Sequence, residues 1–418
     1  MTSRGPIALV GTLDTKGEEM LFLKECLSAL GMQVIVIDAG ILGAPPFQPD
    51  VSREEIAASG GAELADLVRN HDRGQAIAAM ERGLASWFRA RRDSVASMMA
   101  GVLAIGGSAG TSIATAGMRE LRTGVPKLMV STLASGDTRP YVGTSDIAML
   151  YPVGDFTGLN RLTRGILANA ANAMAGMCSL PLPKAAARDA RTVLAATMFG
   201  VTTPCVNSVR ERLEAAGFEV LVFHATGTGG QAMEQLIRDG LIRGVVDVTT
   251  TELADELVGG VLSAGPHRLE IAGQLGIPQV ISVGALDMVN FGPPDSVPER
   301  FHERTFYRHN PTVTLMRTTA EENARLGRII AEKANAARGP VSIVLPLRGV
   351  SAIDAAGQPF YNPEADAALF EALRRHANHA NNKVKIIEMD AHINDPEFAA
   401  RMVAELLSML NRSVDVIP

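Results

Sequence analysis

The chain has 418 residues, 47% of them hydrophobic and only 4% aromatic, with 40 glycines and a formal net charge of −6. That length exceeds one ordinary hydrophobic core and predicts roughly two domains. The mildly acidic balance leaves no electrostatic footprint for nucleic acid, and no apolar stretch reaches membrane-spanning length. Residues 1–4 lead straight into a strand, so no signal peptide is read and a cytoplasmic protein is expected. Cys26, Cys178 and Cys205 are odd in number and lack metal-ligand spacing, which fits unpaired thiols.

In chain order, 7–10 reads as a strand, 11–17 as a loop and 18–30 as a helix stopped by Gly31. Asp14, Lys16 and Gly17 then lie at the carboxyl end of the first strand, the edge where open α/β sheets bind ligands. Lys16 can meet a phosphate, and Asp14 a ribose hydroxyl or a hydrated magnesium. Asp14 or Thr15 also suits a helix cap, and spacing alone favours that plainer role. VIVID at 34–38 is a second strand ending in Asp38. A long helix is expected over 74–99, interrupted near Gly83, with Trp87 packed on one face. His71 and Asp72 precede it, a neighbour pair that decides nothing by itself. A strand at 102–105 runs into Gly106, Gly107, Ser108 and Gly110 and then a helix. After a strand at 127–130, the stretch 131–158 is dense in Ser, Thr, Gly and Asp and holds Gly136, Asp137, Arg139 and Asp146. Loops of this kind either set polar groups around a ligand or serve as an elaborate connection. A small-residue helix over 159–178 suits close packing, and a subunit contact is expected there.

Two prolines and a run of charge at 181–191 mark a linker between domains at 1–180 and 192–418. The pattern then restarts. The stretch HATGTGG at 224–230 is flanked by an apolar strand and an amphipathic helix. Gly227, Gly229 and Gly230 would let backbone N–H groups approach an anion, and Thr226 and Thr228 add hydroxyls. The loop matches neither the dinucleotide fingerprint nor the Walker A loop, since Gln231 stands where a lysine would be needed. A tight strand-to-helix turn explains it equally well. The next strand ends near Asp247, Thr249 and Glu252. His224, Asp247 and Glu252, with His267 and Arg268, are the candidates for acid/base chemistry. The segment 290–311 has no evident periodicity; its His302, Arg304, Arg308 and His309 suit an anion lid or a solvated loop. Strands at 312–317, 341–345 and 384–389 alternate with helices at 319–337, 363–380 and 395–410. The pattern predicts an α/β protein of two Rossmann-like subdomains. Each would have a mainly parallel sheet with helices on both faces, and a ligand cleft would lie between them.

Several loops taken together carry a further signal: TLDTKGEE, GGSAGT, STLASGDTRPYVGTSDI, HATGTGG, DVTTTELADELVGG and HNPTVTLMRT. They resemble the ATP-binding family typified by the N-terminal region of the tomato mosaic virus resistance protein, along essentially the whole chain. The resemblance implies a homodimer and a magnesium-dependent ATP site. It carries that role by motif onto Asp14, Lys16 and Gly17; Gly106, Gly107, Ser108 and Gly110; Gly136, Asp137, Arg139 and Asp146; and Thr226, Gly227, Thr228, Gly229 and Thr249. Many relatives carry a barrel-like domain after this region, so a separately encoded barrel partner in small-molecule metabolism is expected. The alternative is a stand-alone catabolic enzyme using His224, Asp247 and Glu252 on a small phosphorylated or carboxylated metabolite.

Overall fold

Residues 7 and 9 of the first strand face one side and residues 8 and 10 the other, and all four are buried. A strand covered on both faces belongs inside a parallel sheet with helices above and below. The computed structural model, which describes residues 5–91, 99–179, 191–378 and 384–414, builds that sheet. The chain divides into two units, Met1–Arg188 and Asp189–Pro418. Apart from Arg191, the expected linker lies outside the described residues.

In the first unit the strands are β1 (Ile7–Gly11), β2 (Val34–Asp38), β3 (Gly101–Gly106), β4 (Lys127–Ser131) and β5 (Ala148–Leu150). Their order is β2-β1-β3-β4-β5, all parallel. Ala8, Val10, Val102 and Ala104 pack under Met80, Leu84, Phe88 and Ile113 on one face. Ile7, Leu9, Leu103 and Ile105 pack under Leu23, Leu27, Leu167 and Met174 on the other. The order reverses between β1 and β3, which makes that edge the topological switch point.

Three details differ from expectation. The first helix is Leu13–Ala29, starting earlier than expected, with a non-helical kink at Lys16. Asp14 therefore sits inside its first turn and does not cap it. The helix Arg73–Ala90 runs unbroken through Gly83, where a Cβ would meet the Ile56 carbonyl oxygen at 2.1 Å. Glycine there permits close approach of the helix Arg53–Ser59, not an interruption. Trp87 is buried, as expected of a helix face, and its indole N–H donates to Glu55 Oε1 at 2.6 Å.

The second unit holds β6 (Val193–Met198), β7 (Glu219–His224), β8 (Ile242–Thr249), β9 (Gln279–Gly284), β10 (Met288–Phe291), β11 (Phe306–Asn310), β12 (Val313–Arg317), β13 (Val341–Pro346) and β14 (Val384–Met389). A six-stranded parallel sheet runs β14-β13-β9-β8-β6-β7, with its switch point between β6 and β8. Ile281, Val283, Ile343 and Leu345 pack against Leu326, Ile330, Leu369 and Leu373. Val246, Val248, Val280 and Val344 pack against Val209, Leu213, Phe398 and Met402 on the opposite face. The unperiodic segment 290–311 is partly strand: β10, β12 and β11 form a small antiparallel sheet. Arg308 and His309 are exposed on its edge strand, while Arg304 is tied to Glu322 and to the Arg317 carbonyl.

Candidate functional site

The turn after β1 and the turn after β3 converge on a cavity of about 600 Å³ at the switch point of the first unit. Thr12, Asp14, Thr15 and Lys16 come from one turn and Gly107, Ser108 and Gly110 from the other. Gly107 begins the helix Ser108–Met118 without any side-chain cap, so the positive end of that helix opens on the cavity. A Cβ on Gly106 would stand 2.8 Å from Gly110 Cα, which is why this turn needs glycine. Lys16 Nζ lies on the wall and donates to the Phe156 carbonyl. Ile41, Leu42, Leu67, Val68 and Ile77 give the cavity an apolar lining. His71, held at φ 51°, Asp72 and Asp155 complete the rim. Asp155 was not singled out by motif, since nothing in its spacing marks it.

Two carboxylates sit at the ends of β1 and β2. Asp14 Oδ2 accepts from the N–H groups of Ile41 (2.8 Å) and Leu42 (2.6 Å), leaving buried Oδ1 without a partner. Asp38 Oδ1 accepts from Leu13 N (3.0 Å) and Gly40 N (2.8 Å), leaving buried Oδ2 likewise. Burial raises the Asp38 pKa, against the pull of those two backbone donors. Buried carboxylate oxygens without partners are costly unless a cation or proton meets them.

Other residues carried over by motif lie elsewhere in the unit. A Cβ on Gly17 would collide with Pro46 at 2.2 Å, so Gly17 serves close packing. Gly136, Asp137 and Arg139 follow β4 but do not line the cavity. Asp137 and Arg139 pair with each other at 2.8 Å on the surface, and Arg139 holds the Asp137 pKa down to about 2. Asp146 lies at the opposite edge of the sheet. The register Leu128↔Ala148 sets it beside fully buried Lys127, which donates to it at 2.5 Å, and Asp146 also accepts from Gly124 N.

In the second unit the glycine loop is already occupied, by the chain's own carboxylate. Glu252 Oε1 accepts from Gly227 N (2.8 Å) and Gly230 N (3.0 Å). Its Oε2 accepts from Arg268 Nε at 2.7 Å. Arg268 also grips Asp247 through both terminal nitrogens at 2.7 Å. Asp247 takes a further bond from Thr197, and Thr202 and Thr249 hydroxyls lie 2.7 Å apart. Asp247, Thr249, Glu252 and Arg268 are all buried. Burial opposes the Arg268 charge, yet Asp247 and Glu252 hold its pKa well above the ordinary value. The expected acid/base pair Asp247 and Glu252 is thus committed to a guanidinium inside the fold. His224 is exposed at the end of β7, and its carbonyl would lie 1.7 Å from a Cβ on Gly229, which fixes glycine in that turn. Thr228 opens the helix Thr228–Arg238 and is exposed, and Thr226 is half-buried. The switch point of this unit is filled by Thr197, Thr202, Thr249 and the Arg268 cluster.

Comparison with known proteins agrees with this two-unit plan. Residues 5–182 match the N-terminal domain of the Uncharacterised protein family (UPF0261), and 191–410 match its C-terminal domain. The chain belongs to the UPF0261 family. A UPF0261 protein of Clostridium tetani is 52% identical over 406 residues, spanning 97% of this chain and 99% of the relative. One from Rhizobium meliloti is 50% identical over 405 residues, with the same coverage. The ToMV resistance protein Tm-1(GCR237) of Solanum lycopersicum is 40% identical over 427 residues, spanning 97% of this chain but 56% of the tomato protein. Among the described residues, no helix is long and apolar enough to cross a membrane.

Proposed function

We propose that this UPF0261 protein binds ATP, with magnesium, in the switch-point cavity of the first unit. The observation that carries the reading is that one cavity combines an uncapped helix start and Lys16 with an apolar lining. Triphosphate suits the first, since free N–H groups and the helix dipole favour anions. A planar base suits the second, between Ile41, Leu42, Leu67 and Val68. Asp14, which lines the cavity, fits magnesium, a hard cation that takes one or two carboxylates together with waters and phosphate oxygens. Its unpartnered Oδ1 is the atom that would meet it. A bound magnesium would neutralise phosphate charge and orient the triphosphate.

The glycine loop at 224–230 is assigned a structural part in this reading, because its donors are spent on Glu252. The reading also takes the protein to be a homodimer that works beside a separate barrel-type protein in small-molecule metabolism. Calorimetric titration tests it. ATP should bind in the presence of magnesium, bind at least about tenfold more weakly with chelator, and bind at least about tenfold more weakly to Lys16→Met. A response to sugar phosphates or small acids, with none to any nucleotide, would sink the nucleotide reading and favour a stand-alone catabolic enzyme using the same cavity.

A further inference from the structure

The switch-point cavity of the first unit has a second cation besides Lys16. Arg73, the first residue of the helix Arg73–Ala90, lines it together with Ala76 and Ile77 of the same helix. Lys16 is engaged by the Phe156 carbonyl, and Asp72 accepts from Gln75 N at 2.9 Å. Arg73 is exposed and, among the described residues, makes no hydrogen bond or ion pair, so its guanidinium donors are all free. Helix packing decides where it stands. The helices Arg73–Ala90 and Ser108–Met118 lie side by side and run the same way. Ser112 donates to Glu81, and a Cβ on Gly117 would stand 2.7 Å from Leu84 Cγ and 2.8 Å from Phe88 Cδ2. Pairing 81 with 112 sets residue 77 beside residue 108, where the second helix starts. Arg73 is one turn further back, about 6 Å beyond the free N–H groups of that helix start. An anion resting on those N–H groups comes within reach of the Arg73 side chain. Two donor sets a turn apart suit a chain of phosphates better than a single one.

We propose that Arg73 is the residue by which this site selects polyphosphates. Its guanidinium grips one phosphate of the chain while the helix start and Lys16 hold another. The inference rests on the nucleotide reading of the cavity and adds the ligand class it prefers: a nucleoside triphosphate or diphosphate over a monophosphate. Arginine suits the task because its planar fork takes two phosphate oxygens at once. Without it, the carboxylates of Asp14, Asp72 and Asp155 would stand against Lys16 alone in the lining, a poor setting for a multiply charged anion.

The test is calorimetric titration of the full chain with ATP, ADP, AMP and inorganic triphosphate, all with magnesium. The parent should bind ATP and ADP at least about tenfold more tightly than AMP. Arg73→Ala and Arg73→Gln, at an exposed position, should keep the parent's unfolding midpoint without ligand. Each should weaken ATP by about tenfold or more and AMP far less, so that the preference collapses. Inorganic triphosphate, which has no base, should compete with ATP in the parent and much less in either variant. Arg69→Ala removes the same charge from an exposed residue outside the cavity lining and should leave every affinity unchanged. A parent that binds no nucleotide would sink the nucleotide reading, and this inference with it. With ATP bound by the parent, three results would overturn the role of Arg73 alone. These are ATP affinity unchanged in both variants, ATP and AMP weakened equally, as a guanidinium stacked on the base would give, or an equal loss in Arg69→Ala.

Discussion

Arg268 shows how far single residues could be read in advance. Its charge and those of Asp247 and Glu252 stand out in the sequence, but their mutual satisfaction does not. The partners lie 16 and 21 residues away and meet only because β8 and the turn before Leu269 bring them together. Leu269 itself takes φ 77°, a conformation unusual outside glycine, and thereby helps aim its neighbour. Removing the guanidinium would leave two buried carboxylates uncompensated, which costs about 3–5 kcal/mol. Arg268→Ala should therefore lower stability by that order in urea unfolding, and Arg268→Lys should recover little, because an ammonium cannot hold both partners in a fork. A loss near that of an exposed ion pair, about 0–1 kcal/mol, would show that the cluster is not load-sharing. Gly230→Ala should fail for a related reason: its new methyl would stand 2.2 Å from Glu252 Oε2.

Elements were more legible than contacts. The unbroken apolar runs VLAI and VIVI and the 3.6-residue spacing of the helices made the strand-helix order legible, because burial on both faces leaves a continuous apolar run. The antiparallel sheet was not legible, since β11 is an edge strand with Arg308 and His309 exposed and no apolar stripe. Asp146 was grouped with the glycine loops by motif, and its pairing with Lys127 was not legible for a similar reason. The short strand β5 behind it carries the pairing register that sends Asp146 to the far edge. The carboxyl ends of β9 and β13 allow a prediction at this scale. Burial, with the charge of Asp354, pushes Asp287 up to about 7 and Asp366 up to about 8. A carboxyl with a raised pKa binds its proton more tightly in the folded chain, so its stabilising contribution is complete below the unfolded value of about 3.9. That contribution is lost as pH rises toward about 8. Unfolding of the second unit should become easier from about pH 5 to about pH 8, and Asp366→Asn should flatten the slope. A slope of opposite sign in the parent would show that the carboxyls are ionised and well paired.

At the scale of the whole molecule, the two units share one plan and use it differently. Each has a parallel sheet with a switch point, after β1 and β3 in one and after β6 and β8 in the other. In the first unit that edge is open, with unspent donors and unpartnered carboxylate oxygens. In the second it is closed by Glu252, Arg268 and three threonines. A glycine loop in sequence cannot distinguish these cases, because the same backbone nest receives an external phosphate or an internal carboxylate. Hydrogen exchange can. Without ligand, the amides of Gly227 and Gly230 should already be slow, since both donate to buried Glu252. With ATP and magnesium, protection should rise at residues 12–16 and 106–110 and stay unchanged at 224–230. At about one hundred times its dissociation constant, ATP stabilises what it binds by roughly 2.7 kcal/mol, enough to move the unfolding midpoint by a few degrees. That gain belongs to the unit holding the open switch point. New protection at 224–230 instead would mean that ATP displaces Glu252, and would move the nucleotide to the second unit.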